Sequence, residues 1–363
     1  MINKVLIFDP FLADINAGGP EGFIAHNLKN KNSKYFDLFS DVIVERNLYK
    51  NIIAKFYFTI INKLSNPQMP FRKNYIAIRQ INFFFRIKNY RYIYFHSVID
   101  LYFALKFLDN KNKIILQSHA PELVSSELEN RNCSADEIAF MRKIEKIAFD
   151  KADYIVFPTE DSADIYKDLL QDYAKCTYIV SGCSSIETSV KIPLDKLKIN
   201  LLFIGRRNKI KGFDILIDMF VKVCQTRNDL RLFILGKGDI IINENIVDIG
   251  FTSNPAIWYN SVDYVINCNR QSYFDLSVIE VLSIGTPLIL SSNFGHKYFE
   301  NKSKGISTFN VNNSNELFQI LRNIIKPNNN LLNIENKSLY ANELTSQEYL
   351  TRLEQFLAKI LEL

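Results

Sequence analysis

The chain has few cysteines, and the five present (Cys133, Cys176, Cys183, Cys224 and Cys268) are scattered and odd in number. They show neither metal-ligand spacing nor a disulfide framework, which fits a reducing cytoplasm. No apolar run reaches the roughly 18 uncharged residues of a membrane-crossing helix. The opening MINKVLIFDPF is short and soon meets Asp9 and Pro10, so no signal peptide is expected. There is no phosphate-cradling Gly–Lys–Ser/Thr loop, and Gly236 and Gly238 in GKGDII do not complete the six-position dinucleotide fingerprint. A Rossmann-type oxidoreductase is disfavoured accordingly. No two aspartates stand two residues apart, so a short Asp-x-Asp metal clamp is missing and no metal or other cofactor is called for.

What is present suits a soluble globular protein. The 363 residues favour two domains, and 47% hydrophobic against 23% charged residues leaves a sizeable core available. Asparagine is abundant, which reads as compositional bias. The net charge of +5 hides an asymmetry. Between Arg46 and Phe95 stand Arg46, Lys50, Lys55, Lys63, Arg72, Lys73, Arg79, Arg86, Lys88 and Arg91, with no Asp or Glu. Aromatic residues are interleaved, among them Phe56, Tyr57, Phe58, Phe83, Phe84, Phe85, Tyr90, Tyr92 and Tyr94. Such a stretch suits an anionic membrane surface, where each nearby cation contributes on the order of 1 kcal/mol. Nucleic acid is not expected as a partner, because no reader module is recognisable.

Apolar runs and turn signals predict strands alternating with helices, hence an α/β chain of two doubly wound, Rossmann-like domains. In the first half, strands are expected at NKVLIFD, DVIVE (41–45), YRYIYFHS, KIILQSHAPE and ADYIVFPTE, with helices at 23–29, 48–64, 74–88 and 135–152. Residues 186–199 are polar, include a proline, and read as a linker. NLLFIG, RLFILGKGD, IVDIGF, DYVINC, PLILSS and ISTFNV then supply a second set of strands. The expected organisation is a first domain over 1–185, a second over 200–345, and a final helix over 346–363 that returns to the first. PNNNLLNIEN reads as an Asn-rich tract.

The chemistry concentrates between residues 200 and 300. A buried strand runs into Arg206, Arg207 and Lys211 and then a helix, GFDILIDMF. Two cations beside a helix N-terminus suit an anionic ligand, and can stabilise a departing diphosphate in place of a metal. FIGRRNKIKGFDILI, followed by SYFDLSVIEVLSIGTPLI, resembles the donor domain of retaining family-4 (group 1) glycosyltransferases of the GT-B fold. AGGPEGF, HAPE and KADYIVFPTED are similar to that family's acceptor domain.

The resemblance implies two domains facing each other across a cleft, and a nucleotide-diphosphate sugar as substrate. It implies that Arg206 and Lys211 hold the diphosphate, with His119 in the catalytic group. Glu280 would bond the ribose hydroxyls, while Ile249 and Gly250 would line the base. Gly18 and Gly19 would let the chain approach the sugar and phosphate, and Asp275, Leu276 and Ser277 complete the donor side. Glu21 and His96 are candidates for the acceptor, and His296 lies in a loop close to the donor sugar. The family's two-glutamate motif has its acids eight positions apart. Here Ser272 takes the first place and Glu280 the second, so Asp275 is a candidate substitute. The reading is a metal-independent glycosyltransferase, peripheral at the inner face of the cell membrane. Its acceptor would be a lipid-linked glycan in bacterial surface polysaccharide synthesis. A nucleotide-sugar epimerase of the same fold and a non-catalytic glycosyltransferase-like subunit are the alternatives.

Overall fold

A computed structural model describes residues 2–9, 19–42, 89–327 and 330–362. The chain divides into two compact units. The first comprises Met1–Phe157, Tyr166–Ile179 and Leu350–Leu363, the second Pro158–Ile165 and Val180–Tyr349. Gly18, the helices expected at 48–64 and 74–88, and the basic aromatic stretch up to residue 88 lie outside the described residues. Among the described residues no helix is long and apolar enough to cross a membrane.

The first unit is built on β1 (Ile2–Phe8), β2 (Phe36–Leu38), β3 (Tyr90–Phe95), β4 (Lys113–Leu116), β5 (Tyr154–Phe157) and β6 (Cys176–Tyr178). All are parallel, in the order β2-β1-β3-β4-β5-β6. Parallel strands are covered on both faces, which is why their sequences are apolar runs rather than alternations. Leu6, Ile7, Ile93, Tyr94, Ile115, Leu116 and Val156 are fully buried. The end of the Ser346–Ile360 helix belongs here: Phe356 meets Tyr154 edge-on at 5.8 Å, and Ser33 donates to Glu354 at 2.6 Å.

Three local expectations need correction. Of the strand expected at 41–45, Asp41 and Val42 lie instead in a short helix, Phe39–Val42, that follows β2, and residues 43–45 lie outside the described residues. The amide of Ser40 is held by the buried Asp9 carboxylate at 2.8 Å, which starts that turn. The first long helix spans Gly19–Asn27 rather than 23–29. Pro20 fits a first helical turn, where its missing N–H has no partner to lose. Thr159 ends no strand; it caps a helical turn, Glu160–Ala163, by accepting from the Ser162 amide at 3.2 Å.

The second unit carries β7 (Ile199–Ile204), β8 (Leu230–Leu235), β9 (Ile246–Gly250), β10 (Tyr264–Asn267), β11 (Leu288–Ser291) and β12 (Ile306–Phe309). Their order is β12-β11-β10-β7-β8-β9, again all parallel. The order reverses between β7 and β10, which pair Leu201 with Tyr264 and Phe203 with Ile266. In open α/β sheets a ligand binds where the order reverses, beyond the carboxyl ends of the two strands. One core face packs Leu201, Phe203, Leu232, Ile234 and Ile266 against Leu216, Phe220 and Leu317 from the helices Phe213–Cys224 and Ser314–Asn323.

Two segments outside the sheet belong to this unit. The 186–198 stretch is tied to it by hydrogen bonds that the Ile186 amide donates to Ser283 Oγ (3.2 Å) and the Ile192 amide to Ser261 Oγ (2.8 Å). Residues 158–165 are the other. Ser162 donates to the Tyr273 carbonyl at 2.8 Å, and Asp161 pairs with Lys297 at 2.7 Å. The later part of the Asn-rich tract lies in a helix, Leu331–Leu339, whose fully buried Asn336 donates to the Thr286 carbonyl at 2.9 Å and accepts from Ser303 at 2.6 Å.

Candidate active site

The loops after β7 and β10 meet at the reversal point because their strands are neighbours. Lys211 lies in the first loop, just before Gly212, whose φ of +61° starts the Phe213–Cys224 helix. Gly212 is required twice over: its φ is left-handed, and a Cβ there would sit 1.9 Å from the Cys268 carbonyl oxygen. Arg270 laces the loops together. Its amide donates to the Ile210 carbonyl at 2.8 Å, and its guanidinium donates to the Lys209 carbonyl at 2.7 Å and to Asp214 at 2.5 and 2.7 Å.

A charged network closes the junction. Lys211 Nζ stands 2.5 Å from Asp275 Oδ1. Asn269 Nδ2 donates to Asp275 Oδ2 at 2.8 Å, and His296 Nε2 lies 3.0 Å from the same oxygen. Burial works to raise the Asp275 carboxyl, but the Lys211 ammonium and then the His296 ring outweigh it and hold it well below the usual carboxylate range. His296 is fully buried, and its Nδ1 is 3.2 Å from the Ser291 carbonyl oxygen. Both ring nitrogens therefore face acceptors. Asp275 is also the N-cap residue of the Leu276–Ile284 helix, yet its side chain does not cap it. Leu276 and Ser277 are the first two helical residues, at an end that keeps its positive dipole for another anion.

Ser272 points elsewhere. It is fully buried, donates towards the main-chain and side-chain oxygens of Asn293 at 2.6 and 2.8 Å, and accepts from the His296 amide at 3.1 Å. Its hydroxyl shapes the loop that carries His296. Glu280 lies one turn into the helix, partly buried, and accepts from the buried Tyr259 hydroxyl at 3.3 Å.

Of the two adjacent arginines, Arg206 is exposed and Arg207 is turned inward. The Arg207 guanidinium makes a two-pronged pair with Asp248, one contact at 2.6 Å, and donates to the Gly236 and Asp239 carbonyls at 3.0 and 2.5 Å. Asp248 also accepts the Gly250 amide at 3.1 Å, and the Gly236 amide donates to the Gly250 carbonyl at 2.8 Å. Gly250 has a φ of +74° with open space where a Cβ would point, and Ile249 beside it is 36% exposed. Arg207, Asn269 and Tyr259 are the residues sequence reasoning missed. Adjacent residues point in different directions, and nothing in an Arg–Arg pair says which of the two goes inside.

In the first unit, His96 follows β3 directly and is buried, whereas His119 lies three residues beyond β4 and is partly buried. His96 Nδ1 and His119 Nε2 are 2.8 Å apart, so one proton is shared between them. Phe23 stacks near both, with ring centroids 4.4 Å from His119 and 5.8 Å from His96. Burial lowers the His119 ring to about 3, and burial followed by the neighbouring His119 lowers His96 well below its ordinary value. Gly19 opens the Gly19–Asn27 helix at a φ of +66°, and Glu21, in its first turn, is exposed.

Two parallel α/β sheets, the second carrying a cationic junction at its reversal point, define a protein of the GT-B class. Residues 198–326 match the family model described as glycosyl transferases group 1. Across 105 residues the chain is 28% identical to an uncharacterized glycosyltransferase of Methanocaldococcus jannaschii, a match covering 25% of this chain and 27% of that protein. The chain thus spans about a quarter of that curated relative's length. HepE of Anabaena, crystallised with UDP-glucose, superposes with a TM-score of 0.65 at 14% identity, covering 99% of both chains. Sucrose-phosphate synthase of Thermosynechococcus elongatus gives 0.61 at 12% identity, again over 99% of both.

Proposed function

We propose that the protein is a retaining, metal-independent glycosyltransferase that moves a sugar from a nucleoside-diphosphate sugar to a lipid-linked glycan. The junction at the β7/β10 reversal carries this reading, with Lys211 beside the uncapped start of the Leu276–Ile284 helix. A helix N-terminus with an ammonium group attracts a diphosphate. Glu280, four residues on, suits the ribose hydroxyls, and the turned backbone at Ile249 and Gly250 suits the base. The UDP-glucose in HepE supports uridine as that base.

In the reaction the bond between the sugar's anomeric carbon and the diphosphate oxygen breaks. A bond to the acceptor oxygen forms on the same face, and a diphosphate oxygen takes the acceptor's proton. Lys211 and Arg206 stabilise the charge gathering on the leaving diphosphate, the work a metal ion does in other transferases. Gly18 and Gly19 serve the donor sugar and phosphate, His119 belongs to the catalytic group, and Glu21 and His96 serve the acceptor. The cationic aromatic stretch brings the enzyme to anionic lipid, as surface polysaccharide assembly requires.

Thermal unfolding with UDP, GDP and their sugars tests the reading, because a ligand at about 100 times its Kd adds about 2.7 kcal/mol of stability. With an active donor in hand, Lys211→Ala should lower turnover by about 10²-fold or more, as loss of an oxyanion donor does. Chelator should change nothing. A chain that no nucleoside diphosphate stabilises, or a Lys211→Ala variant of full activity, removes the proposal.

A further inference from the structure

The Lys211–Asp275 pair has a chemical oddity. A lysine meant for a diphosphate is already in contact with a carboxylate, at 2.5 Å. That carboxylate is not a mobile surface group. Oδ2 is held by Asn269 at 2.8 Å and faces His296 at 3.0 Å, while His296 is itself fixed by the Ser291 carbonyl and, through its amide, by Ser272. A continuous chain of contacts thus runs from Ser272 through His296 and Asp275 to the Lys211 ammonium. Ser272 stands at the first position of the expected glutamate pair, so the acid there has been exchanged for a hydroxyl that holds scaffold. The carboxylate appears three residues later.

We propose that Asp275 is a positioning residue that holds the Lys211 ammonium at the diphosphate site before the donor arrives and competes with the donor for it. The proposal rests on the donor-site reading above. Lysine is a point charge on a four-carbon stem with considerable rotamer freedom, and an unpinned ammonium would have to be ordered in every catalytic cycle. Asp275 removes that step, because the charge is already in place when the leaving group develops. Its second effect is on affinity. A bare Lys211 would bind substrate and spent nucleoside diphosphate tightly alike, and such uniform binding does nothing for turnover. A fixed counter-charge weakens the resting grip. When negative charge grows on the departing diphosphate, the ammonium is drawn toward it and away from Asp275. An ion pair that only stabilised the fold would not link affinity and turnover with opposite signs.

Asp275→Asn in the full chain tests this, since it keeps the shape and removes the charge. UDP affinity is read by calorimetry and turnover with a UDP-sugar that the wild type uses. The UDP Kd should fall about tenfold, a usual size for coupling between competing interactions. The turnover number should fall by about tenfold or more, the split expected when an unneeded grip is gained and transition-state placement is lost. Asp275→Glu should move both values back towards wild type. If the Asn variant does not fold, Asp275→Ser, a favourable N-cap residue, carries the same comparison. An unchanged or weakened UDP affinity in the uncharged variant overturns the positioning role alone. A wild-type chain that binds no nucleoside diphosphate overturns the donor site together with it.

Discussion

Replacing Arg207 by alanine removes the guanidinium that binds the β7 loop to β9. The side chain is only 4% exposed and that of Asp248 12%. Four acceptors lose a donor at once: both Asp248 oxygens and the carbonyls of Gly236 and Asp239. Breaking a buried pair by deleting one partner costs about 3–5 kcal/mol. Asp248 keeps the Ile241 and Gly250 amides as donors, which places the expectation near the lower end, about 3 kcal/mol. Exposed pairs such as Arg131–Glu127, at 62% and 28% exposure, are worth under about 1 kcal/mol and serve as the control. Urea unfolding of Arg207→Ala, Asp248→Ala and the double variant gives the coupling directly. Hydrogen bonding to Arg207 is the first cause of a lowered Asp248 carboxyl, so this contribution is present above the unfolded carboxyl range and fades as pH falls below it. A loss below about 1 kcal/mol, or a double variant whose loss is simply additive, would show that the pair behaves as a surface contact and refute the reasoning.

Two further outcomes are expected. The His96–His119 pair stays neutral in the fold, while the unfolded chain takes up protons below about 6.5. Stability should therefore decline as pH drops from there towards about 3, and His119→Asn should flatten that slope in pH-dependent unfolding; an unaltered slope would assign it to other groups. The basic aromatic stretch should bind anionic vesicles in preference to neutral ones and release them as salt is raised. Equal binding to both vesicle types ends the membrane assignment.

Much of the fold was legible because parallel strands covered on both faces leave plain apolar runs, as in NLLFI and VLIF. At residues 41 and 42 a helical turn stands where a strand was expected, because a short apolar run fits either, and the Asp9 cap at Ser40 decided the matter from thirty-one residues away. Asn336 was hidden by composition: in an Asn-rich tract nothing marks the one amide that fills a buried set of carbonyls. In the donor region, motif spacing pointed to Lys211, Asp275 and Glu280 as residues. It could not show that Asp275 sits against Lys211, sixty-four positions back, because that depends on the neighbouring register of β7 and β10. The hydroxyl at 272 looked like a gap in a motif, and three hydrogen bonds make it a bracket for His296.

The small segment 158–165 has a practical consequence. The chain passes between its two units four times, at 157/158, 165/166, 179/180 and 349/350. No single cut yields an intact second half. A fragment starting at Val180 would lose Ser162, leaving the Tyr273 carbonyl without that donor beside Gly295, where a Cβ would stand 1.9 Å from the same oxygen. Tyr273 is next to Ser272, so such a fragment would be altered where the bracket for His296 begins. Domain exchange between relatives of this architecture must therefore carry 158–165 along with the later half, as a separate graft.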